Sequence, residues 1–362
     1  MLLFHTLMLQ FLDLADHRPW GDSAIRALYY LPVRFLWDGE AVVILFFVLS
    51  GFVLSLPYYA AHDLPYGRYL VRRFFRIYIP YIVAIAVGLI LRSLVDRGPV
   101  EGFPPAIGRT WSAPITSKTI VDHLLLIYRT DQTIDPVTWS LTAEMRRSIV
   151  FPLLMVIVLR TNAAVALALG FATSRVGLLL HRLLTERTSW STDVFLSSQY
   201  VIPFVIGALV AKHRVDLIDR LVRARPIGRI AWLALGFGIY NYFSFIEVLI
   251  RRVVTIESPL IRITCLSIGS ATLIVWALGS PAVSSALKTT PARFLGRVSY
   301  SLYLYHLLIL TTLMRIASGR VSPWVVDVLA IGASLLVAPI AYRFVEAPAT
   351  AMGRRLTARR NR

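Results

Sequence analysis

Runs of about twenty apolar residues recur along this chain, and no other feature restricts its fold as strongly. A helix rises about 1.5 Å per residue, so about 20 residues cross the roughly 30 Å hydrocarbon core of a bilayer. In that medium every backbone N–H and C=O must be bonded internally, which leaves helices or closed barrels. The runs fall at 1–14, 39–60, 77–95, 137–159, 162–180, 193–211, 229–246, 262–280, 297–315 and 323–345. None shows the short alternating pattern of a barrel strand. The expected fold is therefore all-α: a polytopic integral membrane protein with about ten transmembrane helices. The first run is short, because 14 residues of helix reach only about 20 Å, so it reads as a truncated helix.

Composition agrees with this reading. Of 362 residues 57% are hydrophobic and 16% charged, far more apolar than a soluble domain. The net charge of +18 could suggest nucleic acid. The basic residues, however, sit mostly in short loops between apolar runs, where they meet anionic lipid and set orientation. No nucleic-acid partner is expected. The single cysteine, Cys265, lies inside an apolar run, so a disulfide framework and a cysteine-based metal site are both excluded, and no metal is expected. The first run has neither a basic flank nor a small-residue cleavage site and is not a signal peptide. A cytoplasmic N-terminus gives the loops 61–76, 160–161, 212–229, 281–297 and the tail 19 Lys and Arg together. That orientation puts both termini inside, and the plasma (inner) membrane is the expected location. The longest connection, 96–136, carries Pro99, Pro104, Pro105 and Pro114 and allows a short amphipathic helix at 118–128. We divide the chain into a transmembrane domain, 1–346, and a basic cytoplasmic tail, 347–362.

Ionisable groups inside spans are costly and are candidates for function. His5 lies in the first span. The fourth opens with "VTWSLTAEMRRSIVFPLL", which carries Glu144, Arg146 and Arg147. Glu144 and Arg147, three apart, can pair on one helix face, but that neutralises only one arginine. In the chosen orientation His5 lies about nine residues, about 13 Å, below the outer end of the first span, and Glu144 lies about as deep in the fourth. They can meet, and a carboxylate on one imidazole nitrogen would raise the basicity of the other, as a general base requires. "SYSLYLYHLLIL" sets Ser299, Tyr303 and His306 on one helical face, a polar seam in which His306 is the alternative base. Arg343 and Glu346, three apart, read as a pair closing the last span.

"VRRFFRIYIPY" puts Arg72, Arg73 and Arg76 on adjoining faces of a helix, where they repel one another. An anion would relieve that repulsion, and three guanidinium forks suit a ligand with several phosphates. A positive-inside anchor has the same composition.

The ordered set of motifs resembles the acyltransferase 3 family of membrane O-acyltransferases. The family's "FFxLSGF" is matched by Phe46 to Phe52, and its arginine motif followed by "RIxPxY" by Arg72-Arg73 and Arg76 to Tyr81. "WSLxxE" and "FP" are matched by Trp139 to Glu144 and Phe151-Pro152, "GxxSYxLYLxH" by Gly296 to His306, and the terminal "ExP" by Glu346 and Pro348. The resemblance implies an acyl-CoA donor, a hydroxyl acceptor often on a sugar, and a catalytic histidine in the first helix, which is His5 here. It departs in two places. The family's arginine or lysine eleven positions before that histidine would precede Met1. Where many members continue "EQFY" after the glutamate position, this chain has Met145-Arg146-Arg147-Ser148, which implies a subgroup with its own acceptor.

The expected function is transfer of an acyl group, acetyl first, from acyl-CoA to a hydroxyl of a glycan, lipid-linked sugar or small glycoside. His5 would be the base, Glu144 its support, and Arg72, Arg73 and Arg76 the holders of the CoA phosphates. A transporter or flippase using the buried charges, or a catalytically silent relative, is the alternative.

Overall fold

The computed structural model describes residues 2, 5–6, 38–60, 65–95, 100, 110–126, 133–185, 193–253, 258–317 and 320–358, and among the described residues there is no strand. In chain order the helices are α1 (Gly39–Tyr59), α2 (Tyr66–Leu94), α3 (Ser117–Leu125), α4 (Thr138–Arg160), α5 (Ala163–Thr185), α6 (Asp193–Leu196), α7 (Val201–Lys212), α8 (Arg214–Arg223), α9 (Pro226–Asn241), α10 (Phe243–Arg251), α11 (Ser258–Gly279), α12 (Pro281–Leu287), α13 (Thr290–Ala317), α14 (Pro323–Ala341) and α15 (Ala347–Leu356). Among the described residues seven helical stretches are long and apolar enough to cross a membrane, or eight if the bent pair α9–α10 forms one span. α4 has 23 residues but carries Glu144, Arg146, Arg147 and Arg160, which set it apart from the others. The expected first span lies outside the described residues except for Leu2, His5 and Thr6.

One boundary corrects the sequence reading. The second long helix starts at Tyr66, eleven residues before the expected 77, so Arg72, Arg73 and Arg76 stand inside α2 and not in the loop before it. Pro65 precedes the first turn, and no glycine or proline interrupts residues 68–79. Arginine, leucine and tyrosine carry a helix onward whatever the loop-charge rule implies.

The chain divides into two compact units. The first comprises Met1–Gly39, Tyr66–Met145 and Phe294–Arg362. Its core joins Tyr81, Ile85, Trp111, Ile134, Leu304 and Leu308, beside a smaller cluster of Val137, Leu310, Met314 and Val326. Lipid is as apolar as these side chains, so dispersion and close packing hold the helices more than exclusion of water does. The polar connection is tied down by hydrogen bonds. Arg92 Nη1 donates to Thr133 O at 2.8 Å and its Nη2 to Ala113 O. The Trp111 indole donates to Ile134 O at 2.7 Å, and Arg315 reaches Thr110 O. Trp111 is buried at a φ of 71°, a strained backbone offset by these ties. The expected tail is a helix in its first part: α15 docks on α2 at Gly353, where a Cβ would meet Phe75 Cβ at 2.8 Å.

The second unit comprises Glu40–Pro65 and Arg146–Arg293. Here α1 and α7 approach until their backbones touch. A Cβ on Gly51 would overlap the Phe204 backbone, and one on Gly207 the Val48 carbonyl. Small residues permit such crossings in membranes. Gly51 of "FFVLSGF" is thereby explained as a packing residue, with Phe47 against Phe204 at 5.7 Å between ring centroids. Lys212 Nζ donates to Val158 O at 2.6 Å and Thr161 O at 3.0 Å, capping the end of α4. The span Asp193–Lys212 is continuous in length but changes winding, with a 3-10 turn at Ser197–Tyr200 between α6 and α7. Pro203 explains the change, because it has no N–H to give the carbonyl of Gln199.

Candidate active site

All the residues singled out as base, support and phosphate holders fall in the first unit. Their partners differ in part from the pairing expected from sequence.

His5 Nδ1 lies 3.0 Å from His306 Nε2, with the rings tilted by 42°. His306 is 1% exposed, and its Nδ1 faces Tyr303 O at 2.7 Å and Leu302 O at 3.2 Å. Carbonyl oxygens only accept, so His306 Nδ1 carries the hydrogen. In the neutral ring Nε2 then holds the lone pair, and His5 Nδ1 must donate to it. The network thus assigns His5 the tautomer in which Nε2 is the basic nitrogen. This tautomer leaves Nε2 of His5 able to accept a proton, and the partner seen fixing it is His306, on α13.

The polar seam on α13 holds Tyr303 but not Ser299, which is exposed and bonds back to Gly296 O at 2.9 Å. Ser140 takes its place. The Tyr303 hydroxyl donates to Val137 O at 3.0 Å and meets Ser140 Oγ at 2.6 Å, tying α13 to the start of α4. The ring of Tyr303 stands 5.8 Å from that of His306.

Glu144 Oε1 lies 3.8 Å from Arg73 Nη2, both side chains being at most 10% exposed. The three arginines therefore do not act alike. Arg73 turns inward to Glu144, while Arg72 and Arg76, four apart on one helix face, remain exposed. Arg72 Nε donates to Thr357 Oγ1 at 2.7 Å, which brings the end of the C-terminal helix onto the cluster. Arg76 acts electrostatically on Glu346. Tyr300 lies within reach of all four charges, Arg73, Arg76, Glu144 and Glu346, and its hydroxyl donates to Ile77 O at 2.9 Å. Glu346 accepts from Ser301 Oγ at 2.6 Å and does not form the expected pair with Arg343. The reason is a π-helical turn at Tyr342–Glu346, which breaks the three-residue register the pair requires.

Sequence reasoning missed Ser140, Tyr300, Ser301 and Thr357, all uncharged. Only the Ser-Tyr pattern of "GRVSYSLYLYH" signalled two of them.

The arrangement supplies an oriented imidazole, a buried ion pair and two exposed guanidinium groups on one helix face. A family model described as an acyltransferase domain matches residues 1–343 of the chain. No curated protein and no solved structure matches it. The match takes in every element that builds the site except the C-terminal helix and its approach, and the chain belongs to the acyltransferase 3 family of membrane acyltransferases.

Proposed function

We propose that this protein moves an acyl group, acetyl in the first instance, from acyl-CoA to a hydroxyl of a glycan, lipid-linked sugar or small glycoside. The observation that carries this reading is the ordered pair His306 and His5, which sets the basic nitrogen of His5 at Nε2. In the reaction, His5 Nε2 takes the proton of the acceptor hydroxyl while the acceptor oxygen forms a bond to the thioester carbonyl carbon. The C–S bond then breaks, and the leaving thiolate of CoA takes the proton from His5. An ester and free CoA are the products, so the step needs no other reactant.

Arg72 and Arg76 are the exposed pair suited to donor phosphates. Arg73 is held by Glu144, and this buried pair keeps the inner side of the cluster in place. The reading gives Glu144 a role through Arg73, and the support of His5 falls to His306.

Membranes containing the protein, supplied with radiolabelled acetyl-CoA and a hydroxyl-bearing glycoside, test this. Label should move to the glycoside, and Arg72→Ala with Arg76→Ala should raise the donor KM by about tenfold or more, as loss of charged hydrogen bonds implies. No label transferred over background membranes, across acceptors of all three classes, would sink the proposal.

A further inference from the structure

The family match stops at residue 343, and the reaction described above gives the C-terminal helix no part. α14 and α15 run together as one stretch, Pro323–Leu356, of 34 residues, about 51 Å of helix against a hydrocarbon core of about 30 Å. α2, with 29 residues, is about 43 Å long and overruns the core as well. The basic ends are the parts left over: Arg68, Arg72 and Arg76 open α2, and Arg354 and Arg355 close α15. These two ends pack on each other so closely that a Cβ on Gly353 would meet Phe75 Cβ at 2.8 Å and Arg72 Cα at 3.5 Å. One turn further on, Arg72 Nε donates to Thr357 Oγ1 at 2.7 Å.

Two readings of that bond compete. It could serve only to dock α15 on α2. The packing at Gly353 and the burial of Ala349 already do so, and the 5% exposed Thr357 does not need the arginine. Its hydroxyl hydrogen goes to the helix carbonyls, Gly353 O at 2.8 Å or Arg354 O at 3.2 Å. What the bond changes is Arg72. An exposed arginine must give up rotamer freedom before it can hold a ligand, and a hydroxyl seated on a packed helix removes part of that freedom in advance. Only Nε is used, so the two Nη groups, with four of the five N–H donors, are left for an anion. The same C-terminal segment also supplies Glu346, whose charge acts on Arg76. Both exposed arginines of the cluster therefore answer to it.

We propose that Thr357 is a positioning residue of the donor site: it fixes the guanidinium of Arg72 so that both Nη groups face a phosphate of acyl-CoA. This rests on the reading of Arg72 and Arg76 as phosphate holders.

The test is equilibrium binding of radiolabelled acetyl-CoA to the full chain purified in a neutral maltoside detergent, with Tm recorded for each variant. Thr357→Val keeps the shape of the side chain and removes the acceptor, and should raise Kd about three- to tenfold, the worth of one hydrogen bond. Thr357→Ser restores the acceptor and should stay within twofold of wild type. Arg72→Ala should bind at least as weakly as Thr357→Val, and adding Thr357→Val to it should weaken binding no further, because Thr357 acts only through Arg72. If Thr357→Val does not fold, Thr357→Ala decides by the same criteria. A Thr357→Val protein with a lower Tm but an unchanged Kd, beside an Arg72→Ala protein that binds weakly, overturns this proposal alone and leaves Thr357 a docking tie; additive losses in the double variant do the same. Absence of saturable binding in the wild type, or an Arg72→Ala protein that binds as tightly as wild type, overturns the phosphate-holder reading and this proposal with it.

Discussion

Replacing His306 separates a positioning role from a catalytic or merely structural one. In the wild type His306 gives its Nδ1 hydrogen to Tyr303 O and accepts from His5 Nδ1 at 3.0 Å. His306→Phe keeps a ring in the 1% exposed site but removes both functions. His5 then has no imidazole acceptor to hold its Nδ1 hydrogen, and the preference for the productive tautomer weakens by the worth of one buried hydrogen bond. That is about 1–3 kcal/mol where a buried group is left unsatisfied, or about ten- to a hundredfold in rate. His306→Gln retains a carbonyl that can accept and an amide that can donate, so it should recover most of this loss. The assay is initial transfer from radiolabelled acetyl-CoA in membranes, at varied donor and matched protein amount. The loss should fall on kcat with the donor KM unchanged, because no phosphate holder is altered. A His306→Phe protein within twofold of wild type refutes the tautomer argument. A His306→Gln protein as inactive as His306→Phe, beside a His5 variant that is milder, makes His306 the base.

The remaining structure makes further predictions. Gly51→Val places a branched side chain inside the Phe204 backbone and should cost at least about 3 kcal/mol, seen as a large loss of Tm or of folded protein in detergent; a wild-type Tm would mean α1 and α7 do not cross there. Asp135, in the connection before α4, is fully buried with Oδ2 unpartnered, and burial pushes its carboxyl from the usual 3.8 up to about 8. A raised folded value means that the neutral form is the stabilising one, so wild-type Tm should fall as pH rises from about 4 through about 8. Asp135→Asn should flatten that slope, and an unchanged slope contradicts the burial. Breaking the Arg73–Glu144 pair by Glu144→Gln leaves Arg73 in a buried site and should cost about 3 kcal/mol. In a thermal-unfolding double-mutant cycle with Arg73→Gln the two losses should not add; strict additivity would mean that they do not interact.

Much of the fold could be read from sequence because membrane spans obey a length rule. The helices α5, α11 and α13 lie where apolar runs predict them, within several residues at each end. Charge misled at α2, since Arg72, Arg73 and Arg76 mark a loop under the topology rule although nothing local stops the helix there. The breaks have signals visible only in retrospect. Pro203 removes a donor from the turn at Ser197–Tyr200, and Pro348 does the same after the π-helical turn at Tyr342–Glu346. Site partners were the least legible. Depth places His5 and Glu144 at one level, but depth does not fix the rotation of a helix, and rotation decides that Glu144 meets Arg73 and that His5 meets His306. Uncharged partners such as Ser140 and Thr357 leave no mark in a charge pattern at all.

In the proposed reaction His5 takes the proton of the acceptor hydroxyl. The direct measurement is the rate of acyl transfer from radiolabelled acetyl-CoA to the hydroxyl acceptor by membranes bearing His5→Gln, at matched protein amount and saturating donor. Loss of a general base predicts a fall of about 10²- to 10⁴-fold in rate with the protein still folded; transfer at the wild-type rate would contradict it.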